Sequence, residues 1–122
     1  CKFLHGYSLE FEFEFGADEL DEKNWVVDFG GLKELEVWLR SNFDHKTLVA
    51  SDDPQFSEFE LLNNNGIIDM VVVESTGAEM FAEMAMKYSS KLIQEKYGDR
   101  CWVESVTVRE HGANSAKCKR QN

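Results

Sequence analysis

The sequence predicts an α+β domain in which an antiparallel sheet is covered on one face by two helices. Three observations predict it: a two-residue alternation near the start, a second near the end, and two apolar runs of helical period between them. Tyr7, Leu9, Phe11, Phe13 and Phe15 alternate with Ser8, Glu10, Glu12 and Glu14, the pattern of a half-buried antiparallel strand. Residues 16–24 are a polar, acidic connection, and Trp25-Val26-Val27 reads as a short second strand able to close a hairpin with the first. Asp28 precedes Gly30-Gly31-Leu32, where its carboxylate can accept the unpaired N–H groups of a helix start. Leu32, Leu35, Trp38, Leu39 and Phe43 then recur at helical spacing and predict a helix over 31–42.

Residues 44–65 hold Pro54, the sole proline, and the run Asn63-Asn64-Asn65-Gly66, and read as loop. The β-branched stretch 67–73 predicts a strand. A second helix is expected over 79–97, with Met80, Phe81, Met84, Tyr88, Leu92 and Tyr97 at helical spacing and Gly98 as its stop. Residues 102–110 alternate again, with Trp102, Val106 and Val108 set against Val103, Ser105 and Thr107, and the small, basic tail from Ala113 is expected to fray. The predicted order is strand, strand, helix, strand, helix, strand.

A chain of 122 residues is expected to form a single domain, 1–122. With 13 basic against 23 acidic residues, its formal net charge of -10 repels a phosphate backbone and speaks against nucleic-acid binding. No window approaches the roughly 20 apolar residues of a membrane span. A soluble, cytoplasmic protein is expected. Three cysteines, Cys1, Cys101 and Cys118, match neither a disulfide framework nor a zinc-finger spacing, which fits a reducing compartment. The chain begins with Cys rather than Met.

Three constellations carry potential chemistry. Cys1 and His5 bring a thiol and an imidazole within four positions, where a neighbouring imidazole or metal lowers a thiol pKa; chance spacing is the plainer reading of the pair taken alone. Asp44-His45 follows the first predicted helix, and a carboxylate that orients an imidazole serves proton transfer, while a solvated pair at a helix end is the plainer reading. Glu110 shares the parity of Val106 and Val108, so it is either paired or ligand-bound on an apolar face, or emerges into solvent at the strand end. The phenylalanine stripe and Met80, Met84 and Met86 read as packing, and Gly30-Gly31 as a helix-entry turn.

In this order the pieces resemble the 6-pyruvoyl tetrahydropterin synthase and 6-carboxytetrahydropterin synthase family. The matching stretches are Cys1-Lys2-Phe3-Leu4-His5-Gly6-Tyr7, Trp25 through Lys33, Phe43-Asp44-His45, Thr76-Gly77-Ala78-Glu79 and Val108-Arg109-Glu110. The resemblance implies a T-fold, in which subunits join edge to edge into a barrel, usually a homohexamer, with active sites at subunit interfaces. It implies that an N-terminal strand is lacking here. It also implies a lyase acting on 7,8-dihydroneopterin triphosphate with elimination of triphosphate, in the synthesis of queuosine-type 7-deazapurine precursors. Cys1 is then the catalytic base, Asp44 and His45 the second proton-transfer unit, and Glu110 the anchor of the pterin amidine edge. Thr76 contributes to pterin binding, with Gly77 where the family usually has a second Thr.

The resemblance further implies zinc, which would polarise the side-chain oxygens of the substrate. The family has three histidine ligands; this chain has His5 and then Tyr7 in place of the next histidine. A neutral phenol, with its pKa of about 10, is a poor zinc ligand. His111 follows Glu110 and, on an extended strand, points to the opposite face as an exposed tail residue. Two alternatives therefore stand beside the enzyme: a pterin- or purine-binding homologue with altered or lost zinc chemistry, and a non-catalytic α+β interaction module.

Overall fold

The computed structural model describes residues 4, 6, 8–110 and 114–121. Strand β1 (Leu9–Ala17) leads to a 3-10 turn (Phe29–Leu32), helix α1 (Lys33–Phe43), strand β2 (Thr47–Ala50), helix α2 (Phe56–Asn64), strand β3 (Met70–Val73), helix α3 (Ala78–Tyr97) and strands β4 (Cys101–Glu110) and β5 (Asn114–Lys119). An antiparallel sheet in the order β1-β4-β5 carries α3 along β4 and β5, and β2 and β3 form a separate parallel pair.

The core lies between α3 and the sheet. Ala78, Phe81, Ala82, Ala85, Ser89, Leu92 and Ile93 are buried along one face of α3, opposite Cys101, Val103, Val106 and Val108 of β4. Their three- and four-residue spacing is the helical period. Small side chains at 82, 85 and 89 let the helix approach the sheet closely. The one hydroxyl among them is satisfied, since Ser89 Oγ donates to the Ala85 carbonyl at 2.6 Å. The longer Met84 and Tyr88 flank this stripe, half-buried.

β1 follows its alternation, with the phenylalanines half-buried on the core side and the glutamates exposed. Its partner is β4 rather than Trp25–Val27. That segment forms no strand: Asp21 accepts the Lys23 and Trp25 N–H groups, each at 2.9 Å, and turns the chain before it. Those hydrogen bonds, Trp25's foremost, hold the Asp21 carboxyl below its usual range. Arg100 then donates to the carbonyls of Glu19 at 3.0 Å and Val26 at 2.9 Å and fastens the connection to the start of β4. Arg100→Lys cannot reproduce that planar fork. It is expected to lower stability by about 1–3 kcal/mol in urea unfolding, the worth of hydrogen bonds from a charged donor.

The parity expected for β4 changes at a bulge. Glu14 pairs with Ser105 but Phe15 pairs with Val103, which leaves Glu104 as the extra residue. Val103 thereby joins Val106 and Val108 on the core side, and Trp102 turns to the other face, where its Nε1 donates to Glu104 Oε2 at 2.6 Å. The indole lies so close to Gly16 that a Cβ there would stand 2.6 Å from Nε1.

Residues 44–65 are not a loop. Thr47–Ala50 pairs in parallel with Met70–Val73, and α2 forms the crossover between them. Pro54 and Gly66 bracket that helix instead of marking a break, and Gly66, with φ of 73°, takes the left-handed conformation just past its end. The expected strand over 67–73 begins only at Met70. The helices number three among the described residues, not two, and the tail expected to fray supplies β5, with Ala116 and Cys118 packed toward the core. The Asp28 cap is present, its Oδ1 accepting the Gly30 N–H at 2.9 Å.

Candidate active site

Aromatic packing positions the end of α1. The Phe43 ring lies 4.8 Å from Phe11 of β1 and 5.4 Å from Phe81 of α3, and Trp38 stacks on Tyr88 at 4.6 Å. Asp44 then caps the helix, its N–H donating to the Arg40 carbonyl at 3.1 Å. His45 adopts φ of 57°, a left-handed conformation rare outside glycine and asparagine. This turn supplies the special backbone that adjacent side chains need in order to meet. His45 Nε2 lies 3.5 Å from Asp44 Oδ1, with the imidazole 93% and the carboxylate 58% exposed.

The pair borders a cleft of about 950 Å³ between α1, the start of β2 and the β1 end of the sheet. Thr76, in the β3–α3 connection, lines the same cleft, as do Leu4 and Gly6. Gly77 has φ of 127°, a backbone that a threonine would occupy only under strain. The substitution at this family position therefore has a local physical basis. Glu110 ends β4 half-buried, opposite Leu9, which lines the cleft, and opposite Asn114 of β5. It stands beside the cleft rather than among its lining residues.

The structure thus brings Asp44, His45 and Thr76 together and sets Glu110 nearby. Cys1 and His5 lie outside the described residues, as do Tyr7 and His111. The two described cysteines are structural in character: burial pushes the Cys101 thiol up against a smaller opposing pull from Arg100, and burial followed by Glu83 pushes the Cys118 thiol up. Both stay protonated at neutral pH. Arg40, missed as a site component, lines the cleft together with Lys46, the two standing before and after the Asp–His pair in sequence. Reading 44–65 as loop hid the neighbourhood of Lys46; its only signal was adjacency to His45.

Among the described residues no group of three or more His, Cys, Asp and Glu side chains is placed to hold a metal ion. Of the ligands the resemblance implies, the chain carries His5, which lies outside the described residues. No helix among the described residues is long and apolar enough to cross a membrane.

Comparison with known proteins bears on the whole chain. The sequence is 36% identical over 59 residues to the 6-carboxy-5,6,7,8-tetrahydropterin synthase of Rickettsia conorii, covering 48% of this chain and 43% of the relative. It is 29% identical over 97 residues to the enzyme of that name from Aquifex aeolicus, covering 78% and 60%. A third, from Helicobacter pylori strain 26695, is 29% identical over 112 residues, covering 88% and 54%. The chain spans about half the length of the curated relatives it matches. The crystal structure of an uncharacterised protein from Wolinella succinogenes superposes with a TM-score of 0.83 at 19% identity, covering 99% of this chain and 81% of that one, and this likeness speaks for the fold. The profile described as 6-pyruvoyl tetrahydropterin synthase matches residues 1–121, and the chain belongs to that family.

Proposed function

We propose that the protein is a tetrahydropterin synthase-type lyase that acts on 7,8-dihydroneopterin triphosphate, eliminates triphosphate, releases the two outer side-chain carbons as a two-carbon aldehyde with uptake of one water, and so yields a 6-carboxytetrahydropterin product for queuosine-type precursor synthesis. The observation that carries this reading is the Asp44–His45 contact at the rim of a cleft shared with Thr76. In it Cys1 removes a proton from the substrate side chain and His45, oriented by Asp44, moves a second. Glu110 accepts the N–H groups of the pterin amidine edge, and Thr76 supports the ring.

The names of the three relatives favour the 6-carboxy over the 6-pyruvoyl product. Zinc belongs to this reading through His5 alone, and no step is assigned to it. We take residues 1–122 as one T-fold domain that assembles into a homohexameric barrel. Unpartnered outer edges of β1 and β5 among the described residues, and Phe29 at 79% exposure, support such assembly. The free thiols Cys101 and Cys118 fit a cytoplasmic location.

Incubation with 7,8-dihydroneopterin triphosphate is expected to release inorganic triphosphate and a pterin product identifiable by its mass. Pterin binding without release would select the zinc-less binding homologue, which Tyr7 at a family histidine position favours. Neither binding nor release would leave the interaction module.

A further inference from the structure

The cleft is lined by two cations, Arg40 and Lys46, and by two acids, Glu10 and Asp44, so its formal charge balances where the chain as a whole is strongly acidic. The formal net charge is -10, yet Arg40 and Lys46 both line the cleft among the described residues, one turn before Asp44 and directly after His45. Three other cations are committed elsewhere. Arg109 binds Glu12 at 2.7 Å, Lys96 binds Glu34 at 3.1 Å, and Arg100 fastens the connection after β1.

Arg40 and Lys46 are each held by an acid that is not among the cleft's lining residues. Arg40 pairs with Glu36 at 2.8 Å along α1, and Lys46 pairs with Asp69 at the mouth of the β2–β3 crossover. Lys46 is 23% exposed and thus held in place, while Glu36 and Asp69 are largely solvated. Solvated pairs of this kind contribute little. A polyanion entering the cleft can exchange with both carboxylates and gain charge-assisted hydrogen bonds to a fork and to an ammonium.

We infer that Arg40 and Lys46 form the subsite for the triphosphate of the substrate, an inference that rests on the lyase reading for the identity of the polyanion. The two cations flank the proton-transfer pair, which sets the leaving group beside the carbon that loses its proton. In the elimination the C–O bond to triphosphate breaks, its electron pair departs on the bridging oxygen, and the proton of the adjacent carbon passes to the enzyme base. Negative charge that develops on the leaving oxygen is met by cations already in place.

The test is calorimetric titration of the full chain with inorganic triphosphate and, separately, with 7,8-dihydroneopterin, which lacks phosphate. Arg40→Gln/Lys46→Gln is expected to weaken triphosphate binding roughly tenfold or more, as loss of two charge-assisted contacts does, and to leave dihydroneopterin binding unchanged. Lys117→Gln, which removes a charge from β5, is expected to change neither. Glu36→Gln retains both cations and frees Arg40, so it is expected to tighten triphosphate binding even if the double variant does not fold. Wild-type affinity in a folded double variant, equal weakening by Lys117→Gln, or no tightening by Glu36→Gln overturns the subsite. Triphosphate binding that depends on Arg40 and Lys46 without any binding or turnover of the pterin substrate overturns the lyase reading and leaves the subsite standing.

Discussion

His45→Asn is expected to lower kcat/KM for triphosphate release by about 10²–10⁴-fold, the usual contribution of a positioned acid–base group. The folded state should scarcely notice, with unfolding free energy within about 0.5 kcal/mol of the wild type. The reason is local: the imidazole is exposed and meets Asp44 at 3.5 Å. Asparagine also tolerates the left-handed backbone at this position. Asp44→Asn is expected to act in the same direction, because the capping hydrogen bond at this position is made by the backbone N–H and survives the change. Steady-state triphosphate release measured beside urea unfolding separates the two effects. Full activity in a folded His45→Asn variant would remove the pair from the mechanism.

Phe81→Ala carries the largest expected cost in stability, about 3–5 kcal/mol, because it deletes a buried ring and leaves a cavity. Phe81 is 3% exposed, packs edge-on against Phe43 and also lines the cleft. Against a typical total of about 5–15 kcal/mol, such a loss leaves a marginal fold. It also releases the end of α1, whose last ring is held between Phe81 and Phe11. Val37→Ala, on the exposed side of α1, is the matched control and should stay within about 0.5 kcal/mol. Equal denaturation midpoints for Phe81→Ala and wild type would show that the aromatic cluster does not hold the core.

The parts legible in the sequence are those where one periodicity spans many residues. β1 and α3 were readable because nine and twenty residues keep a single period. The face of α3 was misjudged in detail, since the large residues flank a contact stripe made largely of Ala and Ser, to which hydropathy is nearly blind. β2 has four residues and α2 nine, too few for a period to declare itself against Pro54 and the asparagine run. β4 was given the wrong parity for Trp102 and Val103 because a bulge at Glu104 leaves no mark in composition. Trp25–Val27 looked like a strand because it is apolar, yet Val27 reaches the core from a connection held by Asp21 and Arg100.

The site was legible to a different degree. Asp44-His45 and Thr76, which stand in separate connections of the chain, line one cleft. Arg40 was not singled out, and its grouping with Lys46 was not readable, because a cation's environment depends on which acid the fold sets beside it. Asp69 reaches Lys46 only through the parallel pairing of β2 with β3.

That pairing divides the molecule into parts of unequal permanence. The sheet of β1, β4 and β5 with α3 contains most of the buried side chains, whereas the crossover from β2 through α2 to β3 buries Val49 and Val73 and little else. Segments with few buried apolar contacts open at lower free energy than the core they rest on. One wall of the cleft, including the Lys46 ammonium and the strand that follows His45, is therefore a detachable panel on a durable frame. When it opens, the cleft loses one of its two cations, Lys46, while Arg40 stays on α1.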